Sequence, residues 1–185
     1  MRVSRAIVSI YLCLLSVAAM PQTNSKQKTI QKDNPSQTSL LKAAEVTTII
    51  PSVVFFHGQS APVQTRNSGG VRFEDKSLML VALVDTSGYS SQVQEKYQAY
   101  LITESPLNID GHQLAPGVYG CGFLNDSGFV VMDIGGHDLF SAHVTHDGDM
   151  HRPTPLQVIA APNETGSYRI YAGRTFVTFR LATEK

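Results

Sequence analysis

The 185-residue chain balances 15 lysines and arginines against 15 aspartates and glutamates, and 42% of its residues are hydrophobic. Residues 20–47 carry four lysines against Asp33 and Glu45, whereas from Thr48 onward nine basic side chains face thirteen acidic ones. A mildly acidic body with scattered cations lacks the electrostatic footprint of a nucleic-acid binder, so no nucleic-acid partner is expected.

Residues 1–19 read as a cleavable signal peptide. Arg2 and Arg5 precede an apolar run through Ile7, Val8, Ile10, Leu12, Leu14 and Leu15, and Val17-Ala18-Ala19 offers small residues for cleavage after Ala19. The run is about a dozen residues long, short of the roughly 20 that a spanning helix needs, so no transmembrane anchor is expected after cleavage. Cys13 lies inside the run behind bulky Tyr11 and Leu12, not at its exit where a lipidated cysteine sits. The expected destination is secreted or periplasmic. With the signal removed, Cys121 is the single cysteine, no intramolecular disulfide can form, and the core alone must hold the domain.

Residues 20–47 are rich in Gln, Lys, Ser, Thr and Asn and read as a disordered polar tether, with a brief helical turn near 40–46. Residues 48–185 are expected to form a single β domain, enough chain for one core and short for two. Its first strand spans 49–56, interrupted at Pro51. Asn67-Ser68-Gly69-Gly70 reads as a hairpin between strands 62–66 and 71–73, because Asn and Gly tolerate positive φ. Leu78 to Val84 is a seven-residue apolar run, the pattern of a strand buried on both faces. Ser91 and Gln94 make a capping-box pair opening a short helix over 91–96.

Alternating segments then follow at 97–104, 107–109, 118–124, 129–134, 139–144, 156–160, 167–171 and 175–181. Asp110-Gly111, Pro116-Gly117, residues 125–128, Gly135-Gly136 and Ala172-Gly173-Arg174 punctuate them. Short strands at regular spacing, one helix and no βαβ alternation predict an all-β fold: an antiparallel β-sandwich or open barrel with one short helix.

Three features could carry chemistry. Leu83-Val84-Asp85-Thr86-Ser87-Gly88 approaches the Asp-Thr-Gly loop of aspartic proteases but holds one residue too many before the glycine, and an Asx-type turn leaving a buried strand is the plainer reading of Asp85. His143, His146, Asp149 and His151, with Asp147 and the preceding His137-Asp138, offer imidazoles and carboxylates at short spacing for a divalent metal. On a strand, however, His143 and His146 point to opposite faces, and a solvated polar loop is the plainer expectation. Finally, alternation places Gly120 and Gly122 on one strand face and Tyr119, Cys121 and Phe123 on the other. The bare strip admits either a ligand groove or a neighbouring aromatic ring. His57-Gly58-Gln59-Ser60-Ala61 lacks the second glycine of a nucleophile elbow, and Asn163-Glu164-Thr165 fits the glycosylation triplet.

The stretch Gly111-His112-Gln113-Leu114-Ala115-Pro116-Gly117-Val118-Tyr119-Gly120 resembles the G-x-x-L-x-P-G-x-Y hairpin of small secreted bacterial β proteins of unknown function. Residues 61–174, including 83–89 and 152–157, are similar to an uncharacterised exported family of soil bacteria. The resemblance implies export and a β fold, and brings no catalytic or binding residue with it.

The expected function is that of an exported, non-catalytic binding or structural β domain working in the periplasm, the envelope or outside the cell, with an envelope component or small molecule as partner. A metal-assisted hydrolase built on the His/Asp-rich loop is the alternative, and an acid protease on Asp85 the lesser one. No cofactor is expected on the first reading, and a divalent metal on the second.

Overall fold

The computed structural model describes residues 37–125 and 128–182; the expected signal peptide and the first part of the expected tether lie outside them. The strands are β1 (Ser39–Leu41), β2 (Val53–Phe56), β3 (Gln59–Arg72), β4 (Leu78–Val84), β5 (Ala99–Thr103), β6 (Leu107–Ile109) and β7 (His112–Leu114). They continue as β8 (Gly117–Leu124), β9 (Gly128–Met132), β10 (Asp138–Ala142), β11 (Thr145–His146), β12 (Thr154–Ala160), β13 (Ser167–Gly173) and β14 (Thr175–Leu181). Two short helices join them, α1 (Ala43–Val46) and α2 (Ser91–Lys96).

All pairings are antiparallel and make two sheets. The first runs β1-β3-β4-β5-β8-β9-β10 with β2 also on β3, and the second runs β12-β13-β14-β6-β7 with β11 on β14. The fold is therefore the expected all-β sandwich. Among the described residues no helix is long and apolar enough to cross a membrane.

The main core lies between the sheets, where Met79, Val81, Leu101, Cys121 and Val131 of the first meet Ile109, Leu156, Ile170, Val177 and Phe179 of the second. Period-two alternation in β4 sends Leu80 and Ala82 to the opposite face, and these are buried too. Val46 of α1 and Ile50 cover that outer face at one end. At the other end Val54 and Phe56 of β2 pack with Tyr89, Tyr97 and Tyr100. A sheet covered on both faces needs strands apolar on both faces, which is why Leu78–Val84 reads as an unbroken apolar run.

Three expectations are corrected. The ordered domain begins ahead of Thr48: β1 pairs with the far end of β3, and Leu41 and Val46 are 2% and 0% exposed. Sparse apolar residues sufficed because each of these two lands in a core supplied by distant strands. The hairpin at Asn67–Gly70 does not form; the segment lies within the continuous strand β3, where a bulge between Gln64 and Ser68 takes in Asn67 and the residues from Ser68 to Gly70 pair regularly with β4. Neither glycine takes a positive φ there. Instead a side chain on Gly69 would meet the backbone nitrogen of Val158 at 2.9 Å, and one on Gly70 would overlap the carbonyl of Met79. These glycines serve close backbone approach. The cap of α2 is Ser90, not Ser91, and Gln94 donates to the Tyr89 carbonyl at 2.7 Å.

The tight turn joining β2 to β3 is His57-Gly58, with φ of 47° and 78°, the geometry of a two-residue primed turn. The His57 amide donates to the Ile134 carbonyl at 2.9 Å and ties this hairpin to the β9–β10 turn. Asp110-Gly111 makes the expected turn between β6 and β7, again with both φ positive.

Candidate functional site

The strip beside Cys121 is built as alternation requires. Cys121 is 0% exposed within the inter-sheet core, its thiol donates to the Ala99 carbonyl at 3.6 Å, and burial pushes its pKa up to about 12. Gly120 and Gly122 face the other way, but no groove opens over them. The Phe56 ring and Tyr97 occupy the space above Gly120, and the carbonyl of Lys96 with the Gln98 side chain occupies that above Gly122. Gln98 also receives the Phe123 amide at 3.0 Å and donates to the Phe123 carbonyl at 3.0 Å. The bare strip is thus the seat of β2 and of the end of α2 with the residues that follow it.

The histidine segment does not converge. Among the described residues no three His, Cys, Asp or Glu side chains are placed to hold a metal ion. His143, His146, Asp149 and His151 are all exposed on the run from β10 to β12. The acids beside them have structural partners: Asp110 accepts the His143 amide at 2.8 Å, and Asp147 accepts the Tyr171 hydroxyl at 2.8 Å and the Asp149 amide at 3.1 Å. Asp133 accepts the His137 amide and pairs with its ring, and Asp138 pairs with Lys96.

Asp85 is the anchor of an Asx turn, its carboxylate accepting the Ser87 amide at 3.0 Å. That bond, with the Ser87 side chain adding to it, holds the carboxyl below the usual range. A protease aspartate has to share a proton with a second carboxyl; this one is exposed and bonded to its own loop.

A different feature has the shape of a binding site. A recess of about 410 Å³ lies where β1 and the start of α1, the bulge of β3, and the edge strand β12 come together. Leu40, Leu41, Pro155, Val158 and Ile159 give it an aliphatic lining. Lys42 and Arg66 are exposed at its rim, and neither has an ion-pair partner among the described residues. The nearby Glu45 carboxylate is not in the lining; it accepts the Lys42 backbone amide at 3.0 Å. The bulge keeps its shape by internal bonds, from the Ser68 hydroxyl to the Thr65 carbonyl at 2.6 Å and from the Asn67 amide to Gln64 at 3.1 Å.

A second recess, smaller at about 370 Å³, is lined by Phe73, Glu74, Asp75, Tyr168, Arg180 and Leu181 among others, with two carboxylates against the one guanidinium and far fewer aliphatic side chains. The first is therefore the stronger candidate. Sequence reasoning missed it because its three walls come from around residues 42, 67 and 156, and no local pattern links them. Comparison with known protein families, with curated proteins and with solved structures finds no match to this chain.

Proposed function

We propose that the protein is an exported, non-catalytic binding domain of the periplasm, the envelope or the extracellular space, and that its ligand sits in the recess between β1, the β3 bulge and β12. The observation that carries this reading is the pairing of an aliphatic lining with two cations that have no ion-pair partner among the described residues, in a space of about 410 Å³, a volume in the range of small-ligand sites. A concave, mostly apolar surface with a few polar groups at its rim is what such sites share. The Gly120–Gly122 strip, by contrast, is already filled by the chain itself.

Binding is tested with a fluorescent probe of apolar body titrated onto the purified protein. Saturable one-to-one binding is expected, and Thr154→Trp, which sets an indole into the recess from an exposed position, is expected to abolish it without lowering the melting temperature. Equal binding by both proteins would exclude the recess. Export is tested by N-terminal sequencing of protein recovered outside the cytoplasm, expected to begin at or near Met20. A chain still starting at Met1 in the membrane fraction would overturn that part of the reading.

A further inference from the structure

Resting on that reading, we propose that the recess selects an aliphatic molecule carrying one anionic head group, with the head held by Arg66 and Lys42. Among the described residues twelve acidic side chains outnumber nine basic ones, yet the recess lining drawn from those residues contains two cations and no acid. A local charge of opposite sign to its surroundings attracts an anion to that spot. The guanidinium of Arg66 presents a planar fork that matches a carboxylate or phosphate bidentately, and the ammonium of Lys42 adds a mobile point charge. Asn67, Thr154 and Gln157 supply neutral hydrogen-bonding groups in the same lining. The aliphatic tail would lie along Leu40, Leu41, Pro155 and Val158, where burial is favourable in proportion to the apolar area removed from water. Leu40, left 39% exposed, has most to gain from such a tail.

The test compares decanoate, decyl phosphate, decanol and decylamine, of equal chain length, by displacement of the fluorescent probe at low ionic strength. The two anions are expected to bind about ten-fold tighter than decanol, with decylamine weakest, as one charge-assisted contact provides. Whichever anion binds tighter identifies the head group. Arg66→Gln is expected to bring the anions close to decanol while leaving decanol itself unchanged, and Lys42→Gln to do so in part. Added salt should narrow the gap. Equal affinity for decanoate and decanol would overturn the anionic selection and leave the binding reading standing. Binding of none of the four would remove both. Selection that survives in Arg66→Gln, or self-association of the protein that competes with the probe, would also overturn the proposal.

Discussion

The ring of Tyr97 stacks on that of Phe56 with centroids 3.9 Å apart and planes 22° from parallel. Both rings lie over Gly120, where an added methyl group would overlap Phe56 and come within 3.0 Å of Tyr97. The contact fastens the β2–β3 hairpin to the outer face of the first sheet. It joins residues from three parts of the chain.

Gly120→Ala should therefore destabilise the protein by about 2 kcal/mol through overpacking, although alanine suits a strand at least as well as glycine. Gly88→Ala is the control. Its nearest neighbour would be Gln59 at 3.9 Å, and its effect should stay within about 0.5 kcal/mol. Urea unfolding of both variants measures the difference, and equal stabilities would mean that Phe56 does not rest on Gly120.

The hydroxyl of Tyr97 is buried and has no hydrogen-bond partner among the described residues. A buried polar group left unpaired costs free energy that its removal recovers. Tyr97→Phe keeps the stack and should raise stability by about 1 kcal/mol. A comparable loss instead would reveal a partner for the hydroxyl in solution.

Cys121 should react slowly with a thiol reagent in the native protein and fast once unfolded, because only the thiolate attacks and burial suppresses it. The unfolded thiol ionises near 9.0 while the folded one keeps its proton to about 12. Stability from this group is therefore full below pH 9 and falls, by about 1.4 kcal/mol per pH unit, as pH rises from there to 12. Denaturation midpoints measured across this range should decline less steeply in Cys121→Ala. Identical slopes in the two proteins would show that the thiol ionises without unfolding.

Leu41→Ala should cost about 2–4 kcal/mol and Val46→Ala somewhat less, since both side chains leave cavities in the outer-face core. Thermal unfolding decides between this and a dispensable tether. Unchanged melting temperatures would restore the boundary at Thr48.

Local pattern determined much of this protein. The apolar run Leu78–Val84 specified a doubly covered strand, Asp110-Gly111 specified its turn, and the alternation of Tyr119, Cys121 and Phe123 specified which face enters the core. Each of these depends on residues a few positions apart, so the sequence carries the signal whole. Other features depended on what arrives from elsewhere. Glycine gives one signal for two needs, positive φ and missing bulk. Only the arrival of Val158 beside Gly69 showed that bulk was the need there, and only that of Phe56 beside Gly120 showed that a ring of the chain itself, not a ligand, fills the bare strip. Likewise Leu41 and Val46 were too few to form a core alone and became core by docking on Leu80 and Ala82. The recess is the extreme case, because Lys42, Arg66 and Pro155 meet only when β1 and β12, the edge strands of two different sheets, close on the bulge of β3.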